Sequence, residues 1–131
     1  MRIFDAHTHL NQEDLFPNRK EHLEAFAGVR GHGLVNIWAN RQYNTNGLTI
    51  SNESRASFPD LWIKASLGIH PCDVGNTIGN VKEEITLIKQ QIEENRDSIV
   101  AIWECWIDLH YPEGSSFLEL QRDFFRAHCE L

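Results

Sequence analysis

The chain has 131 residues, 41% hydrophobic and 24% charged, the balance of an ordinary globular domain with material for a single core. No apolar run approaches the roughly 20 residues of a membrane-spanning helix, and Met1-Arg2-Ile3-Phe4-Asp5 enters a strand pattern without the apolar segment of a secretory signal, so a cytoplasmic protein without a membrane partner is expected. A net charge of −7 argues against broad attraction to a polyanion, and the three scattered cysteines, Cys72, Cys105 and Cys129, without any Cys-x-x-Cys, against a disulfide framework or a zinc ribbon.

The chain opens on a predicted strand, Arg2 to Leu10, in which alternation sets Ile3, Asp5, His7 and His9 on one face. The two imidazoles are about 6.5 Å apart at the backbone, near enough to converge on one ion at about 2.0 to 2.1 Å per bond if it is zinc. Asp5, below them, is placed to orient one of the rings. The plainer reading is a pair of partly solvated turn histidines; their position at the end of an apolar strand favours the metal, because parallel α/β folds put chemistry there.

Helical spacing of Leu23, Phe26 and Val29 predicts a helix over residues 18–29, stopped by the glycines either side of His32. A second strand follows at Leu34 to Ala39. Residues 41–58 are polar; Asn46-Gly47 argues for a break there, with at most a short helix near Ser54-Arg55-Ala56. Strand three, Trp62 to Ile69, runs into His70-Pro71. An amphipathic helix then carries Val81, Ile85, Ile88 and Ile92 on one side. Strand four, Ser98 to Ile102, leads into Trp103-Glu104-Cys105-Trp106-Ile107-Asp108. A last helix places Phe117, Leu120, Phe124, His128 and Leu131 on one face and reaches the end without a stop signal.

Four consecutive β-α units predict an α/β fold with parallel strands and right-handed crossovers, either a small doubly wound sheet or part of a (β/α)8 barrel. His7 and His9 close strand one, His70 strand three and Glu104 strand four, so three strands deliver metal-capable or acid-base groups to their carboxyl ends. Glu104, with two oxygens, suits a bridge between two cations, against the plainer reading of an exposed strand-end acid. Alternation through strand four puts Val100, Ile102, Glu104, Trp106 and Asp108 on one face. His70 reads as a substrate-contacting group or general acid, or as a loop histidine fixed by Pro71. Asp108 is expected to bond backbone or ligand-orienting groups at the mouth, or to cap the strand. Cys105 is expected to pack against a helix, His22 and His32 to be solvated, His110 to sit near the rim with Tyr111, and His128 to lie at the surface.

Asp5-Ala6-His7-Thr8-His9-Leu10, Leu67-Gly68-Ile69-His70-Pro71 and Ala101-Ile102-Trp103-Glu104-Cys105-Trp106-Ile107-Asp108, with Gln121-Arg122-Asp123-Phe124-Phe125 after them, resemble the TatD family of metal-dependent deoxyribonucleases in the amidohydrolase-like barrel group. The resemblance implies His7, His9 and Glu104 as metal ligands, Glu104 shared between two divalent ions (Mg, Mn or Zn), and hydrolysis of DNA phosphodiesters at ends or on single strands. Related alternatives are another amidohydrolase-like hydrolase, or a catalytically dead metal-binding fragment.

Two departures stand out. A complete barrel typically takes about 250 residues, so residues 1–131 are expected to be one partial domain, the N-terminal half of a TIM-type barrel, lacking the later ligands, with open edges at strands one and four, weak or no activity alone and a tendency to associate. Further, where the family reads Gly-Glu-x-Gly this chain has Trp103-Glu104-Cys105-Trp106, and Trp38 stands where glycine would also be ordinary. Either these tryptophans are glycines written through the wrong codon table, since UGA is read as glycine in some bacterial lineages and tryptophan in others, or a paralogue that lost catalysis fills its pocket with indoles.

Overall fold

A computed structural model describes residues 1–75, 77–110 and 116–131. Its strands, β1 (Ile3–Thr8), β2 (Gly31–Asn36), β3 (Trp62–Leu67) and β4 (Ile99–Ile102), form one sheet in the order β1-β2-β3-β4. Every pairing is parallel, with Asp5 opposite Leu34, Asn36 opposite Ala65 and Leu67 opposite Ile102. Four parallel strands alternating with helices are the arrangement of the N-terminal half of a TIM-type barrel. All carboxyl ends therefore lie at one rim, which brings the chain's separated histidines and Glu104 to the same end of the sheet.

The helices are α1 (Arg19–Gly28), α2 (Arg41–Ser57), α3 (Val81–Asn95) and α4 (Leu118–His128). Asn40 caps α2 by accepting the Tyr43 N–H at 2.9 Å, and Asn80 caps α3 by accepting that of Glu83 at 3.2 Å. Arg41 ties the two starts together, meeting Glu83 at 2.5 Å and the buried Glu84 at 2.6 Å. Hydrogen bonds first to Glu84 and then to Glu83 raise the Arg41 pKa, so the cation is held across every working pH.

The main core lies between β3 and helices α2, α3 and α4, where Leu48, Leu67, Ile69, Ile85, Ile88 and Phe124 are buried together. A smaller cluster of Leu23, Leu34, Ile50 and Ile63 seats α1. Burial at roughly 25 cal/mol per Å² makes these clusters the main stabilising contribution. The sheet's outer strands are open: Ile3, Phe4 and Val100 are exposed. Among the described residues, no helix is long and apolar enough to cross a membrane.

Two expectations are corrected. Residues 41–57 form one continuous helix through Asn46-Gly47 rather than a break and a short helix. Gly47 lets α2 approach β3, since a Cβ there would lie 3.3 Å from that of Ala65, and this tertiary contact overrides glycine's unfavourable helix propensity. The helix is polar because its buried amides bind backbone, as described below. Further, β4 ends at Ile102, so the alternation expected as far as Asp108 does not apply beyond it.

Candidate metal centre

β1 delivers the histidine pair. Thr8 anchors its end, with its hydroxyl donating to the Val35 carbonyl at 3.0 Å and its own carbonyl accepting the Ile37 N–H at 2.8 Å. Beyond it His9 Nδ1 lies 2.9 Å from the Ile37 carbonyl. A carbonyl only accepts, so the proton is on Nδ1 and Nε2 presents the lone pair, the arrangement that orients a metal-binding imidazole. The His7 and His9 rings are 4.9 Å apart at 70°. His7 Nε2 lies 3.9 Å from Glu104 Oε1, the histidine side chain 54% exposed and the glutamate 8%.

Glu104 is placed by the backbone around it. The Trp103 N–H donates to the Leu67 carbonyl at 2.9 Å, and the Ser66 hydroxyl donates to the Trp103 carbonyl at 3.2 Å. Gly68 permits that approach: a Cβ there would stand 2.9 Å from the Trp103 carbonyl carbon and oxygen. From α2, Asn44 grips Gly68 at both ends, donating to its carbonyl at 3.0 Å and accepting its N–H at 3.2 Å. Asn46 donates to the Asn11 carbonyl at 2.8 Å, and buried Asn11 donates to the carbonyls of Trp38 and Tyr43. These α2 and loop amides fix the rim, and the sequence reading missed them; the signal available was four asparagines spaced along one polar helix and its cap.

His70 joins the same rim. Its backbone N–H donates to the Ala39 carbonyl at 2.7 Å, and its Nδ1 accepts the Cys72 N–H at 3.1 Å, which leaves the proton of the neutral ring on Nε2. Trp38 lies parallel to the ring at 5.8 Å and Trp106 meets it edge-on at 4.7 Å. Trp38 also meets His9 edge-on at 4.9 Å. Its φ of +129° is a conformation for glycine, and such a residue typically costs about 1 to 3 kcal/mol.

The remaining residues sit as follows. Asp5 is exposed and accepts the His7 backbone N–H at 3.0 Å, touching neither imidazole by hydrogen bond. Asp108 accepts the His110 N–H at 2.7 Å, and Gln121 of α4 clamps its backbone, accepting the Asp108 N–H at 2.7 Å and donating to its carbonyl at 3.2 Å. Cys105 is half-buried, and burial, then the neighbouring Cys129, push its thiol pKa up. His110 is exposed; Tyr111, expected beside it, lies outside the described residues. His128 is not at the surface. It is buried, its Nδ1 donating to the Phe124 carbonyl at 2.7 Å and its Nε2 accepting the Ile69 N–H at 3.1 Å, and burial lowers its pKa. Its place on the apolar face of α4 was the signal.

Among the described residues, no three imidazole, carboxylate or thiol groups stand close enough to hold an ion as they are. The donor chemistry nevertheless fits a divalent metal. Among the described residues Glu104 Oε2 is buried with no hydrogen-bond partner, as are Asn11 Oδ1 and Asn36 Nδ2; of the three only the carboxylate oxygen is an anionic ligand of the kind a divalent cation takes. The 3.9 Å from His7 to Glu104 exceeds by little the roughly 3.4 Å between two ligands of one tetrahedral ion, and His7 is exposed enough to turn.

The model of the TatD-related DNase family matches residues 4–131, and the chain belongs to that family. Similar proteins include uncharacterized metal-dependent hydrolases of Mycoplasma genitalium, 33% identical over the whole of this chain, and Mycoplasma pneumoniae, 32% identical over the whole of it. The metal-dependent hydrolase YabD of Bacillus subtilis, also uncharacterized, is 26% identical over 98% of the chain. In each case the match covers 46% of the relative, so the chain spans about half the length of the curated relatives it matches.

Proposed function

We propose that this chain supplies His7, His9 and Glu104 as ligands of a divalent metal centre in a phosphodiester hydrolase acting on DNA, at ends or on single strands. The observation that carries the reading is a buried carboxylate with one unpartnered oxygen, beside two imidazoles of which one has its Nδ1 committed to a carbonyl and its Nε2 left for a ligand role. The family match and the relatives' description as metal-dependent hydrolases support it. A cytoplasmic location belongs to the same reading, supported by cysteines that form no disulfide among the described residues.

Bound cations, one or two of Mg, Mn or Zn, supply a water of lowered pKa and a polarised phosphoryl oxygen. His9 contributes a fixed tautomer, so no proton has to leave before its Nε2 serves as a ligand. Glu104 would supply a charged ligand at the rim, with Oε2 buried and unpartnered. His70, with its proton on Nε2, is set to donate to a phosphate oxygen or to the departing oxygen, given that a general acid acts within hydrogen-bond reach. With a net charge of −7 the chain attracts DNA through these cations rather than through its surface at large.

The test is incubation of the protein, expressed from its complete reading frame, with single-stranded DNA and Mg²⁺ or Mn²⁺, beside the His7→Ala/His9→Ala variant. Cleavage that needs the cation and disappears in the variant supports the reading. Cleavage that survives the double change, or metal-dependent hydrolysis of ester or amide substrates with DNA left intact, overturns it.

A further inference from the structure

Three of the chain's four tryptophans, Trp38, Trp103 and Trp106, form one aromatic run across the rim. Trp38 stacks on His70, Trp106 meets that ring edge-on, and Trp103 tilts against Trp106 at 5.9 Å while remaining 44% exposed. The fourth, Trp62, is elsewhere, at the start of β3 against Phe4, with a ring separation of 5.3 Å. Among the described residues, none of the three rim indoles belongs to the main core. Trp103 precedes the buried Glu104 directly in the chain, and Trp38 and Trp106 cover the ring of His70 at the same rim.

The backbone at position 38 is that of a glycine. With φ at +129°, a side chain bearing a Cβ is unfavourable there, and tryptophan is the largest that exists. Position 103 lies backbone to backbone with Gly68, where a Cβ on Gly68 would stand 2.9 Å from the Trp103 carbonyl, and its indole and that of Trp106 lie against each other at 5.9 Å with Trp103 44% exposed. One codon joins the two amino acids. UGA differs by a single base from the tryptophan codon UGG and by a single base from the glycine codon GGA, and bacterial lineages differ in which of the two they insert for it.

We propose that positions 38, 103 and 106 are UGA codons that the source organism decodes as glycine, so that the native rim is open around His70 and Glu104. This does not depend on which bond the site hydrolyses. With glycine at 38 the φ of +129° becomes ordinary, and with glycine at 103 and 106 the approach to Glu104 loses its two flanking indoles.

The test reads the gene and the native protein together. Of the tryptic peptides from the source organism, Gly31–Arg41 contains position 38, Asp97–Arg122 contains 103 and 106, and Ala56–Lys64 contains Trp62 as an internal control. The expected result is UGA at 38, 103 and 106 with glycine in the first two peptides, and UGG with tryptophan in the third. UGG at the three rim positions, or tryptophan in either rim peptide, overturns the proposal whatever the activity assay shows.

Discussion

At the joint between α4 and β3, His128 is 4% exposed and uses both ring nitrogens within the chain, one on Phe124 and one on Ile69. At the rim, Glu104 is 6% exposed, yet one of its oxygens meets nothing. Both groups are polar and both are buried, so the cost of burial cannot be what separates them. The difference is in who completes them. His128 finds both partners in the fold, whereas Glu104 keeps a buried anionic oxygen without one; Asn11 Oδ1 and Asn36 Nδ2 are also unpartnered, but they are neutral amide atoms, so the carboxylate is the one whose charge a cation would balance.

The largest effect should come from breaking the rim side of that contrast. His7→Ala/His9→Ala should weaken Mn²⁺ or Zn²⁺ binding, read by calorimetry, by more than the roughly 10- to 100-fold that losing an outer hydrogen-bond partner costs. Its melting temperature should fall by little, because His7 is largely exposed and His9 gives up one part-buried hydrogen bond, worth about 1 kcal/mol. A variant that unfolds instead would place these histidines with the structural groups.

The opposite outcome is expected at the joint. His128→Phe leaves the Ile69 N–H buried without an acceptor and should cost about 1 to 3 kcal/mol in denaturant unfolding, with metal affinity unchanged apart from the slight displacement of His70 next in sequence. Acid should reproduce part of this loss. Burial lowers the His128 pKa below its unfolded value of about 6.5, so between the two values the unfolded chain binds more protons and stability rises with pH. The contribution is complete above about pH 6.5 and is lost as pH falls through the folded value. Urea midpoints measured across that window should slope upward for the parent, and this part of the slope should vanish in His128→Phe.

The smallest effect concerns the rim's backbone. At a φ of +129° alanine has the Cβ that glycine lacks, so Trp38→Gly should melt above Trp38→Ala by an amount equivalent to about 1 kcal/mol. Equal melting temperatures would mean that position 38 relaxes to an ordinary conformation.

Much of this could be read along the chain, for physical reasons that also mark where reading stops. β1, β3 and α3 follow from alternation and from Val81, Ile85, Ile88 and Ile92, because one-sided burial imprints a period on sequence. The meeting of His7, His9, His70 and Glu104 at one rim follows from parallel strands. Helix α2 does not, since its asparagines are satisfied by the Gly68 and Asn11 backbones, partners distant in sequence, and Gly47 is tolerated only because β3 is close. For His128 the apolar face of α4 signals burial, but its acceptor role toward the Ile69 N–H, 3.1 Å away, joins residues distant in sequence. The φ of Trp38 is invisible in composition, although the oddity of an indole at that place was not.

Whether the Glu104 carboxylate serves a cation is read from titration with Mn²⁺ of the protein from its complete reading frame, parent beside Glu104→Gln, because glutamine keeps the size of the side chain while removing its charge and one acceptor oxygen. A clear loss of Mn²⁺ affinity is expected in Glu104→Gln, with the melting temperature of the metal-free protein unchanged or raised. Equal Mn²⁺ affinity in the two proteins would remove Glu104 from the metal centre.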